Sequence, residues 1–148
     1  MIGKHIYRDK MTECSFFEDS LPEWTGESNA QNQIGATATF VGTIRADEIN
    51  HKKVIGIEFS THVEIAKATS IELLEKYKKQ YKLNSACIYH RTGFVKAGDL
   101  CFRVVVNAGH RKEAFAALPQ IVDDFKANVP VFGKEILEDN THEWKQNK

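Results

Sequence analysis

The sequence predicts an α+β fold in which a mixed sheet carries two main helices on one face. Three observations support it. Short runs of β-branched and small residues alternate as strands do, two longer segments repeat apolar residues every three or four positions, and mostly short polar loops join them in the order ββαβ(β)βαβ.

Residues 1–34 mix aromatics, charges and turn formers without sustained periodicity, so they read as an irregular arm with room for one short strand or helix. The first clear strand is G-A-T-A-T-F-V-G-T-I, residues 35–44, followed by the polar loop R-A-D-E-I-N-H-K-K and a second strand, V-I-G-I-E-F. Residues 63–82 set Ala66, Leu73, Leu74, Tyr77 and Tyr81 at helical intervals, with lysines crowding the end where the helix dipole favours them. S-A-C-I-Y-H-R is a short strand, G-F-V-K-A-G-D a turn-rich connection, and L-C-F-R-V-V-V-N-A a further strand. From His110 to Asn128, Phe115, Leu118, Ile121, Val122 and Phe125 recur at helical spacing, continued by Val129. Pro119 lies inside that pattern, where it removes a backbone donor, so a kink or early break is expected there. V-F-G-K-E-I-L-E-D reads as the last strand and T-H-E-W-K-Q-N-K as a loosely held end.

A chain of 148 residues suits one domain, divided into an arm (1–34), a core (35–144) and a tail (145–148). Twenty basic and twenty acidic residues cancel, which removes any global field that would draw the chain to nucleic acid or an anionic membrane. The apolar runs fall short of the roughly 20 residues a span needs, and the first residues lack the apolar middle of a signal peptide, so a cytoplasmic protein is expected. Cys14, Cys87 and Cys101 form no C-x-x-C pair, and Cys87 and Cys101 sit in strand-like runs, where buried thiols are expected. His51 and His62 make no metal-ligand spacing, and neither a metal nor another cofactor is expected.

The most informative local feature is N-A-G-H-R-K-E, residues 107–113, between a strand and a helix. A helix N-terminus already carries partial positive charge, so His110, Arg111 and Lys112 are out of place there unless an anion such as phosphate completes the site. The other reading is that these side chains extend into water or are offset by Glu113. Arg45 ends the first strand after Thr43 and Ile44, as either a clamp for phosphate or carboxylate or a surface ion-pair partner. His90 and Arg91 likewise end a strand and read as structural or interfacial. Lys126 falls on the last turn of the second helix, which the dipole alone explains, and Lys134 on the strand beyond Pro130.

In their order along the chain, these pieces resemble the large, catalytic subunits of molybdopterin synthases. The resemblance runs from about Gly35 to Trp144 through G-A-T-A-T-F-V-G-T-I-R, Glu58, Y-H-R-T-G-F-V-K-A-G-D, A-G-H-R-K-E-A-F, Lys126, Val129-Pro130, Glu135 and Trp144. It implies an α/β-hammerhead fold and a homodimer within a heterotetramer. Each distal small ubiquitin-like subunit would deliver sulfur as a thiocarboxylate on its C-terminal Gly-Gly. The implied substrate is cyclic pyranopterin monophosphate, converted to the molybdopterin dithiolene. By the same resemblance, Arg45, His110 and Arg111 would hold the phosphate, His110 could move a proton, and Lys126 would be the central catalytic group. Lys134 would join Lys126 and His110 in the catalytic set, Phe40 would line the pocket, and Thr43, Ile44, Gly133, Lys134 and Glu135 would border the substrate.

This chain departs from the family where many members carry P-x-W-K-x-E and it has P-V-F-G-K-E, so the second family lysine falls on Gly133 and Lys134 comes one residue late. A one-residue shift in a strand turns a side chain to the other face, unless a bulge at Gly133 turns Lys134 back inward. The departure leaves open an alternative, a non-catalytic relative that binds the ubiquitin-like subunit or a phosphate ligand without turnover.

Overall fold

The computed structural model describes residues 12–23 and 32–146. Its strands are β1 (Thr12–Phe17), β2 (Ala36–Thr43), β3 (Glu48–Ile49), β4 (Lys52–Thr61), β5 (Ser85–Arg91), β6 (Gly93–Lys96), β7 (Leu100–Ala108), β8 (Val131–Leu137) and β9 (His142–Trp144). Its helices are α1 (Val63–Tyr81) and α2 (Arg111–Asn128). The α+β expectation holds, with the strands divided between two sheets. One sheet has the order β1-β5-β7-β2, with β1 parallel to β5 and the other pairs antiparallel. The other runs β3-β4-β8-β9, with β6 also paired to β4.

Both helices pack on the first sheet, α1 over β1 and β5 and α2 over β7 and β2. Every residue of β7 after Leu100, and every residue of β5 before Arg91, is buried, so both faces of these two central strands are covered. Leu74, Ile121, Ile88 and Val104 have essentially no exposed surface, and burying each such side chain contributes roughly 1.5–3 kcal/mol. The helices are also joined at Asp124, whose Oδ2 accepts from the Tyr77 hydroxyl and the Lys76 ammonium, each at 2.9 Å. The α1 N-terminus is closed by His62, whose Nδ1 accepts from the Ile65 amide at 3.4 Å. All three cysteines are buried thiols.

Two expectations need correction, and the optional strand of the predicted order is decided. The connection G-F-V-K is strand β6, pairing Gly93 to Lys96 with Phe59 to Gly56 and so covering an edge of β4 that would otherwise lack partners. The supposed loose end contains β9, held on β8 by the pairs Lys134–Trp144, Glu135–Glu143 and Ile136–His142. Pro119 does not break α2, which runs unbroken to Asn128. Pro119 is exposed, so the lost hydrogen bond falls on the solvent side, where a helix bows outward and water can serve the spare carbonyl. Within the arm, the one short strand allowed by the sequence is β1, while residues 1–11 and 24–31 lie outside the described residues.

Candidate active site

The two sheets and the C-terminal end of α2 converge on a cavity of about 750 Å³. Its apolar floor is built from side chains that the strands aim inward: Ile57 and Phe59 from β4, His90 from β5, Phe102 from β7 and Phe125 from α2. The Phe59 and His90 rings meet edge to face at 4.9 Å between centroids, and Phe102 lies 4.8 Å from Phe125. Phe40 lines the wall, its ring edge-on to Phe102 at 5.7 Å.

The end of β2 reaches the rim through a change of register. Gly42 pairs with Phe102 but Thr43 pairs with Leu100, which leaves Cys101 as an extra residue on β7. Such a bulge bends the strand and re-aims the side chains beyond it. Here it brings Thr43, Ile44 and Arg45 to the cavity. Ile44 is then fixed by its backbone, donating to the Asp99 carbonyl at 3.0 Å and accepting from the Gly98 amide at 2.8 Å. The Arg45 guanidinium is exposed and pairs with Asp47 at 2.9 Å. The Cys101 thiol faces the cavity and donates weakly to the Gly42 carbonyl at 3.5 Å, and burial holds its pKa above the usual thiol value.

Lys126 comes from the last turn of α2, half-buried in the cavity wall. Beneath it His90 is 5% exposed. Burial first, and then the Lys126 charge, push the His90 pKa down to about 4, against the opposing pull of the Arg91 carbonyl that its Nδ1 meets at 2.6 Å. The imidazole is therefore neutral at pH 7, with Nδ1 donating.

From Val131 to Ile136 the β8 register is unbroken against β4, with Phe59 opposite Gly133, Glu58 opposite Lys134 and Ile57 opposite Glu135, and it shifts only farther on, between Gly56 and Val54. No bulge forms at Gly133, so strict alternation places Gly133 and Glu135 on the cavity and turns Lys134 away. The Lys134 ammonium instead lies 3.6 Å from Glu58 and 5.5 Å from the centroid of the Trp144 ring. Lys134, expected in the catalytic set, therefore does not line the cavity of its own chain.

Residues 19–128 match the family model described as MoaE protein. The chain belongs to the MoaE family. Among its relatives, the rat protein described as molybdopterin synthase catalytic subunit is 31% identical over 114 residues, 77% of this chain and 56% of that protein. The chain thus spans a little over half the length of that relative. Molybdopterin synthase from Staphylococcus aureus shares the fold at a TM-score of 0.73 with 24% identity, covering 79% of this chain and 84% of that one. The fold also recurs, at a TM-score of 0.67 and 23% identity over 81% of this chain and 77% of that one, in a Helicobacter pylori complex of subunits 1 and 2 of molybdopterin-converting factor.

Within this MoaE-family chain, Phe40, Thr43, Ile44, Arg45, Lys126, Gly133 and Glu135 come together at one cavity. His110 and Arg111 do not. They are exposed at the opposite end of α2, whose 18 residues span about 27 Å. His110 occupies the N-cap position without a side-chain cap bond. The sequence does not assign two further residues to this cavity. His90 reads as structural because its approach to Lys126 depends on long-range pairing, and Lys145 lies in a segment without strand periodicity. Among the described residues, no cluster of three or more His, Cys, Asp or Glu is placed to hold a metal ion, and no helix is long and apolar enough to cross a membrane.

Proposed function

We propose that this chain is the catalytic subunit of a molybdopterin synthase. It would take sulfur from the thiocarboxylated C-terminal Gly-Gly of a small ubiquitin-like subunit and pass it to cyclic pyranopterin monophosphate, in the cytoplasm. The observation that carries this reading is a cationic, half-apolar cavity built by residues the family resemblance singles out, with Lys126 in its wall and Arg45 at its rim.

The chemistry suits both anionic reactants. The aromatic floor accommodates a flat pterin, while Lys126, set against a wall that excludes much of the water, stabilises negative charge on the thiocarboxylate or on the carbonyl it attacks. Arg45 can offer two parallel donors to phosphate once it exchanges Asp47 for substrate. The helix start carrying His110 and Arg111 is too distant to reach the same cavity in one chain, so in this proposal a second copy brings its own pair to the phosphate, as a homodimer within a heterotetramer allows.

Reconstitution tests the reading. The chain, mixed with a thiocarboxylated small subunit and the cyclic pterin phosphate, should yield the dithiolene, detected after oxidation to its fluorescent derivative. Binding of the small subunit without product would instead favour a non-catalytic relative.

A further inference from the structure

Among the described residues, three basic side chains line the cavity: Arg45, Lys126 and Lys145. Arg45 is engaged at the rim by Asp47. Lys145 follows β9 directly, and its backbone amide donates to the Gly133 carbonyl at 2.8 Å, so the β8–β9 pairing extends to this residue and fixes where its side chain starts. The stem then lies over Gly133. A Cβ added at Gly133 would stand 3.4 Å from Lys145 Cδ, and 3.1 and 3.2 Å from Ile57 and Phe59 on its other sides. A Cβ alone would make ordinary contact with the Lys145 stem while crowding Ile57 and Phe59, whereas a longer side chain at 133 would compete with the stem for the same space.

We infer that Lys145 is the second substrate-binding cation of this cavity, reaching it across Gly133 from the C-terminal segment and sharing the anionic group of the substrate with Lys126. Lys134, on the same strand pair, is turned out and cannot take that place. The electrostatics of the position agree. Partial burial and the Lys126 charge lower the Lys145 pKa, Arg45 adds to the lowering, and Glu135 and Cys101 oppose it. An anionic substrate reverses part of that repulsion on binding, so the two ammonium groups favour negative charge between them. A lysine so poised also gives up a proton more readily than an ordinary surface lysine.

The activity expected of Lys145 rests on the synthase reading, but its placement beside Lys126 does not, and the tests separate the two. In the reconstituted complex, Lys145→Met should lower kcat about 100-fold and Lys134→Met no more than about threefold. Lys145→Arg, which keeps the charge, should recover at least about a tenth of the wild-type rate. Turnover by Lys145→Met within about threefold of wild type overturns the assignment. Should the wild-type complex form no product, the synthase reading fails and the placement is still decided by brief acetylation at pH 8 with peptide mass spectrometry. Lys145 is then expected to label several-fold faster than Lys134, and to slow in Lys126→Met as its pKa returns toward normal. Equal Lys145 labelling with and without Lys126 overturns the placement.

Discussion

Helix α2 has two basic ends with different surroundings. At its C-terminal end, Phe125 and Val129 are 3% and 5% exposed, and Lys126 is held in a cavity wall by the aromatic floor and the returning strand β8. At its N-terminal end, His110, Arg111 and Lys112 are exposed, and Phe115, one turn on, is 65% exposed. The sequence marks the two ends in opposite ways. The dipole accounts for Lys126 without any function, whereas the cations at the other end oppose it and call for an explanation. What covers each end decides what it can do. The covered end can exclude water and strengthen a charge interaction, while the open end can act only on something that arrives from outside the chain.

The largest test of that contrast is catalytic. In the reconstituted complex, Lys126→Ala should lower kcat about 10³-fold, the scale of losing a desolvated charge at a reacting centre. Arg111→Ala should mainly raise KM for the pterin phosphate, by about tenfold, as expected of an exposed binding contact. Equal kcat losses at both positions would mean that the open end is covered as completely as the other in the working assembly.

Stability gives the next contrast. Phe125→Ala removes a ring packed between Phe102 and His90 and should cost about 4 kcal/mol, whereas Phe115→Ala should stay within about 0.5 kcal/mol. Urea unfolding of both variants measures the difference. A large loss at Phe115 would reveal a partner surface, and in that case the loss should depend on protein concentration.

The floor under Lys126 should also make stability fall in acid. Between about pH 6.5 and about pH 4, the unfolded chain takes up a proton at His90 that the folded chain refuses, so stability decreases as pH drops through that window. The full effect is about 3 kcal/mol, and His90→Phe should remove that part of the slope. An unchanged slope would mean that the imidazole reaches water.

Elements with their own periodicity were legible, and those defined by a partner were not. Helix α1 and strand β7 follow from residue spacing alone, whereas β6 and β9 carry little pattern and exist because β4 and β8 present edges for them. The same division runs through the site. Arg45 and Lys126 sit at element ends, which sequence locates well. Lys134 hinged on whether Gly133 bulges, and a register that is regular around Gly133 answers that only in three dimensions. The place of Lys145 in the cavity of its own chain was not legible, because it depends on a backbone pairing and on a side chain that Gly133 lacks.

Pro119 lies between the two ends of α2 and gives the finest test. A proline in an exposed helix interior is about 3 kcal/mol worse than alanine, but it also restricts the unfolded chain, which returns up to about 1 kcal/mol. The helix here runs through Pro119 with its buried face intact, Ala117 and Ile121 both fully covered, and Pro119 itself is exposed, so water can serve the carbonyl that loses its donor and relieve part of the cost. Pro119→Ala is therefore expected to stabilise by only about 1 kcal/mol, a rise in Tm of about 3 °C. If the proline also sets the direction of the N-terminal turn, the same variant should raise KM for the pterin phosphate while kcat holds, because Lys126 is anchored independently by the floor. A fall in kcat instead would show that the proline positions the covered end, and that the two ends of α2 are less independent than their burial suggests.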